Sequence, residues 1–167
     1  MDPLQATHLG TIDQIKFYAD RVLRGELTDD ARFYQVAPET AHIHWLVGHM
    51  AFTIDRVAMS ALAAKPALPD ALQPIFGWST KPTGDRTAYP GWSEVTEALT
   101  GAIARLREHV AAMPEEFGQP LPEGHPFAAM IPARGGVISF TAMHTSYHLG
   151  QVSTLRRAQG LPSGMGR

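Results

Sequence analysis

His144-Thr145-Ser146-Tyr147-His148-Leu149-Gly150-Gln151 sets two histidines four residues apart near the end of the chain. In a helix, side chains at i and i+4 lie one above the other on the same face, so the two imidazoles can address one atom. Read as a helix, the stretch continues a stripe of Phe140, His144, Tyr147, His148, Gln151, Leu155 and Ala158. It starts near Ser139 and stops at Gly160 before Pro162. This stripe is expected to face the core. His49, far upstream, supplies a third imidazole, and three histidines with a fourth position open form a catalytic type of metal site.

Proline organises the rest. Ten of the 13 prolines fall within residues 65–91 and 114–138. Because proline breaks helix interiors, helices can run only through residues 4–37, 39–65, 91–113 and 133–161. In the first segment Leu4, Ile12, Ile15, Ala19 and Val22 fall near one stripe, Gly25 marks an end and Thr28-Asp29-Asp30 a connection. In the second, Ile43, Val47, Met50, Ile54, Val57 and Ala61 define a core face, with His42, Leu46, His49, Thr53 and Arg56 as a more polar strip beside it. The third repeats Val95, Leu99, Ala102, Leu106, His109 and Met113, with Ser93 as a candidate N-cap and Glu94 and Glu97 in the first turn. The expected fold is therefore all-α: a four-helix bundle with long loops between helices 2 and 3 and between helices 3 and 4, forming one domain over residues 1–167. Leu68 to Phe76 is expected to add a short helix within its loop. Connections this long can run the length of a bundle, which allows parallel neighbours joined by crossovers.

Composition narrows the chemistry. The chain has no cysteine, which excludes disulfides, thiolate metal sites and a cysteine nucleophile and fits a cytoplasmic protein. Fourteen basic and 16 acidic residues are scattered along it, so no electrostatic footprint for nucleic acid or an anionic membrane is present. No apolar run approaches the length of a membrane span.

Neutral imidazole suits zinc, nickel, copper or iron, and zinc or nickel leads here. An ion held by three neutral ligands keeps its charge uncompensated and lowers the pKa of a bound water or thiol. The plainer alternative is that an i,i+4 histidine pair arises by chance in a chain with eight histidines and packs, hydrogen-bonded, in the core. His42 lies two turns from His49, about 10 Å along the axis, so the two cannot share an ion. His8, His44, His109 and His125 read as surface or packing residues. Gln151, three residues after His148, is placed to orient a ligand, and Tyr147 to reach the site or to pack. Gly48 and Gly150 are costly within helices and suggest close helix approach. Trp45, Trp78 and Trp92 read as core or end-capping residues.

Trp45-Leu46-Val47-Gly48-His49, together with the His144 to Gln151 motif and its continuation to Gly160-Leu161-Pro162, resembles the DinB superfamily over nearly the whole chain. The resemblance implies a four-helix bundle, a divalent metal, commonly zinc or nickel, held by His49, His144 and His148, and a homodimer. It also implies, for some relatives, transfer or isomerisation dependent on a low-molecular-weight thiol. Leu149 departs from the pattern, since relatives frequently carry arginine there. Three functions follow as expectations: a metal-dependent, thiol-dependent S-transferase acting on a small electrophile; a metal-dependent hydrolase, for which Glu39 or Asp55 would have to serve as base; and a non-catalytic metal-binding dimeric bundle of a stress response.

Overall fold

The computed structural model describes residues 2–113 and 116–164, and no strand occurs among them. Helix α1 (Pro3–Val22) opens with proline in its first turn and is capped by Asp2, whose carboxylate accepts from the Gln5 N–H at 2.9 Å. A short α2 (Asp29–Phe33) follows, N-capped by the Thr28 hydroxyl, where the sequence suggests only a connection. Helix α3 (Ile43–Thr53) continues through a wide π turn (Ile54–Ala58) into α4 (Met59–Ala61). The expected short helix of the next loop is present as a 3₁₀ turn (Asp70–Leu72) and α5 (Gln73–Phe76). A further 3₁₀ turn at Arg86–Ala88 leads to the two long remaining helices, α6 (Trp92–Ala112) and α7 (Arg134–Ala158).

Four corrections concern helix ends and faces. The N-cap of α6 is Gly91 rather than Ser93: the Glu94 carboxylate accepts from the Gly91 N–H at 3.2 Å, while the Ser93 hydroxyl donates to Glu97. Helix α7 begins five residues before Ser139, running through Gly135 and Gly136. A Cβ at Gly135 would lie 3.0 Å from His8 Nε2 and 3.2 Å from Phe117, so glycine is needed there for close approach to α1. Leu4, assigned to the core stripe of α1, is half exposed. Every residue of α3 is buried, so its polar strip faces α7 and the long connection rather than water, as expected of a helix apolar on all sides.

The bundle is a square in which α1 neighbours α6 and α7, and α3 neighbours the same two. Gln5 near the start of α1 donates to the Val110 carbonyl at the end of α6, so these two are antiparallel. Arg21 at the end of α1 reaches the Gly164 carbonyl just beyond α7, so these are parallel. His44 contacts the Pro90 carbonyl and His109 the Leu62 carbonyl, which makes α3 and α6 parallel. Residues 62–91 are thus a crossover between parallel neighbours, one of the arrangements the long proline-rich stretches allow.

The crossover is fastened at both ends. Asp55, fully buried in the π turn, accepts from the Ala67 and Leu68 N–H groups at 2.9–3.1 Å and from Arg105 Nη2 at 2.5 Å. At its middle the ring of buried Phe76 covers Gly48, where a Cβ would lie 2.3 Å from the ring, and at its far end the Pro90 carbonyl accepts from His44. Gly48 therefore permits close helix approach, as expected, and the helix is the short α5 of the crossover. Gly150 has open space around it and no such role. Gly48→Ala is expected to destabilise the protein by about 1–3 kcal/mol, because the packed ring cannot yield without strain. Urea denaturation checks this, and an unchanged midpoint would show that the ring moves freely.

Candidate metal centre

The crossover and two helices bring the three histidines together. His49 comes from the middle of α3, and His144 and His148 from successive turns of α7. One ring nitrogen of each lies within 4.8 Å of the other two. His42, His44 and His109 are engaged elsewhere. His42 N-caps α3, its Nδ1 accepting from the Trp45 N–H at 3.1 Å and its Nε2 donating to the Thr83 carbonyl. His44 and His109 donate to the carbonyls of Pro90 and Leu62. His125 contacts the Ser60 hydroxyl through Nε2.

Hydrogen bonds fix which nitrogen two of the three candidate ligands present. His49 Nδ1 donates to the Phe76 carbonyl at 2.7 Å, which leaves Nε2 bare. His148 Nδ1 donates to Gln151 Oε1 at 2.7 Å, which again leaves Nε2 bare, and that atom sits 3.1 Å from His144 Nε2. In the metal-free protein His144 Nε2–H donates to His148 Nε2 across that gap, and a bound cation would take the place of the shared proton. A tetrahedral ion with metal–nitrogen bonds of about 2.0–2.1 Å sets its ligands about 3.3 Å apart, so the donor set fits a divalent ion. Burial holds the rings in the neutral form such an ion needs: His49 is pushed down to about 4 and His144, by burial and then by its two neighbours, to about 3, while His148 is lowered by burial.

Gln151, expected to orient a ligand, lies against the His148 ring. Tyr147 is largely exposed, and its hydroxyl accepts from Gln151 Nε2 at 3.4 Å, so it meets the centre through Gln151. The stripe of α7 is correspondingly turned from the expectation: the buried line runs through Ile138, Thr141, Thr145, His148 and Val152, and His144 is half-buried at its edge. Gln151→Leu is expected to weaken metal binding about 10- to 100-fold, the usual cost of losing a partner that orients a ligand. A competition titration with a chromogenic chelator measures this, and unchanged affinity would remove Gln151 from the site.

The walls are aromatic. Trp45, one turn before His49, stacks on its ring at 4.5 Å with a 10° interplanar angle and is pinned by its indole N–H to the Ile75 carbonyl. Trp78 and Phe140 stack on His144 at 5.6 and 5.8 Å. Phe127, from the second long connection, packs on both. Trp45 is a core residue, as expected, that also stacks on His49, whereas Trp78 is half exposed and lies over His144 rather than in the core. The i,i+4 spacing of Trp45 with His49 is a readable sign of the first contact, and nothing local to Trp78 signals the second. The two candidate bases lie elsewhere: Asp55 is bound to Arg105 and the crossover amides, and Glu39 is an exposed partner of Lys81. Among the described residues no carboxylate joins the three imidazoles.

An all-helical bundle with three inward imidazoles, two from the last helix and one from the second long one, defines a class of histidine-centred metal-binding proteins. The chain belongs to the DinB superfamily, whose sequence profile matches residues 20–152. Comparison with curated proteins and with solved structures gives no match. No helix among the described residues is long and apolar enough to cross a membrane.

Proposed function

We propose that this chain is a divalent-metal enzyme that transfers a low-molecular-weight thiol to a small electrophile, with His49, His144 and His148 as the ligands. The observation that carries this reading is the convergence of three neutral imidazoles, two with fixed tautomers, joined by no carboxylate among the described residues. Bound there, a divalent ion supplies Lewis acidity that makes a thiol nucleophilic near neutral pH. The chain's own residues do the rest. Gln151 holds the His148 ring, Phe76 holds that of His49, and Trp45, Trp78 and Phe140 flank the rings and offer flat apolar surfaces to a substrate. Hydrolysis would need a base at the site, and Asp55 and Glu39 are both engaged elsewhere. Zinc or nickel as the ion, a homodimer as the assembly and the cytoplasm as the compartment belong to the same reading.

The test is turnover of an alkylating chromogenic electrophile by zinc- or nickel-loaded protein, with and without added thiols. Thiol-dependent turnover that disappears in His148→Ala is the expected result. Equal rates in the two proteins, or turnover indifferent to thiol, would overturn the proposal.

A further inference from the structure

Ten arginines lie among the described residues, and six of them are ion-paired with a carboxylate: Arg32, Arg56, Arg86, Arg105, Arg107 and Arg134. The other four, Arg21, Arg24, Arg156 and Arg157, all line one cleft of about 730 Å³ where α1 and α7 end side by side. Leu161 and Pro162 line it too, and exposed Glu26 is its one acidic residue. Basic residues at helix C-termini offset the negative end of the dipole, which accounts for exposed Arg24 and Arg157. It does not account for Arg156. That side chain is only 4% exposed; its Nε donates to the Pro162 carbonyl at 2.6 Å and its Nη1 is buried with no acceptor. A buried guanidinium lacking an anion is costly, and its fork of donors matches a carboxylate or phosphate.

A second groove, of about 780 Å³, shares Arg157 and Ser163 with this cleft and runs along α7 to Gln151 and Tyr147, beside His148. Nine residues of helix, about 13 Å at 1.5 Å per residue, separate His148 from Arg157. We infer that the arginine cleft is an anion site that takes the carboxylate or phosphate end of an elongated small molecule whose other end reaches the histidines. The cleft's anion binding stands by itself, and the link to the histidines rests on the metal-enzyme reading.

Two arms separate these parts. In the first, citrate is titrated calorimetrically into metal-free protein. One-to-one binding is expected, at least tenfold weaker in Arg157→Gln and in Arg156→Gln and unchanged in His148→Ala, with circular dichroism confirming that each variant folds. Absent binding, or binding indifferent to Arg157, overturns the anion site and leaves the metal reading intact. In the second, cobalt-loaded protein is titrated with reduced glutathione, a thiol with two carboxylates, and with 2-mercaptoethanol, which has none. The thiolate–cobalt absorption band is expected at a tenfold or greater lower concentration of glutathione, with that advantage lost in Arg157→Gln. Equal concentrations for the two thiols overturn the link, and failure of the protein to take up cobalt overturns the metal reading while the citrate arm still judges the cleft.

Discussion

His148→Ala is expected to abolish stoichiometric binding of zinc and nickel. His148 supplies one of the three convergent nitrogens, and through it Gln151 and Tyr147 are tied to the site. Its loss removes a ligand together with the ring's ordering hydrogen bond, so the effect should exceed the 10- to 100-fold change typical of a supporting residue. The fold should survive, because alanine is the best helix former and His148 sits in the interior of a 25-residue helix. In the metal-free protein the variant also loses the 3.1 Å hydrogen bond between the two Nε2 atoms and leaves a cavity, so its melting temperature is expected to fall while the helix persists. Equilibrium dialysis with elemental analysis, alongside a thermal melt, checks both halves. Full metal occupancy in the variant would mean that the convergence of these rings does not build the binding site.

Metal-free protein is expected to unfold cooperatively as pH falls from about 6 towards 4. Burial pushes His42, His44 and His49 down to about 4, and burial together with neighbouring rings pushes His144 to about 3. In the unfolded chain these rings titrate near 6.5. Between the two values the unfolded state binds protons that the folded state does not, so stability is complete above about 6.5 and declines as pH falls towards the folded values. Each fully buried ring costs about 1.4 kcal/mol per pH unit across that window. His42 and His44 alone, acting over two units, would remove several kcal/mol from a domain whose total is about 5–15 kcal/mol. The chemistry of His42 explains why it resists protonation: its Nδ1 is the acceptor that caps α3, and a proton there would both bury a charge and uncap the helix. Urea midpoints at pH 7.5, 6 and 5 test this. Equal midpoints at all three would show that the buried rings titrate as freely in the folded chain as in the unfolded one.

The bundle and the His144–His148 pair were legible because both rest on local periodicity, whereas His49 joined them through the resemblance to the family. Proline marks where helices cannot run, and a four-residue spacing on a helix fixes which side chains share a face. What was not legible depends on contacts between distant segments. Helix α7 begins before Ser139 and runs through Gly135 and Gly136, where His8 and Phe117 lie against the first glycine and Ile131 against the second, contacts that no local pattern announces. Gly48 was readable as a site of close approach, but the ring that fills it, Phe76, comes from a loop whose path no local rule specifies. The same holds for Trp78 against His144 and for the Phe76 carbonyl against His49. The arginine cleft escaped notice for a related reason: Arg21 and Arg24 are far in sequence from Arg156 and Arg157 and meet only because α1 and α7 are parallel.

The crossover that carries Phe76 and Trp78 has a kinetic consequence. One strap both fixes the His49 tautomer and shields His144, and it is moored near its start by Asp55 and Arg105. The strap covers one side of an ion seated among the imidazoles, so its residence time is expected to depend on sub-global opening of residues 62–91 as well as on the coordination bonds. Amide exchange in this segment should slow on metal loading, and loosening the mooring by Asp55→Asn should speed ion release while leaving all three ligands in place.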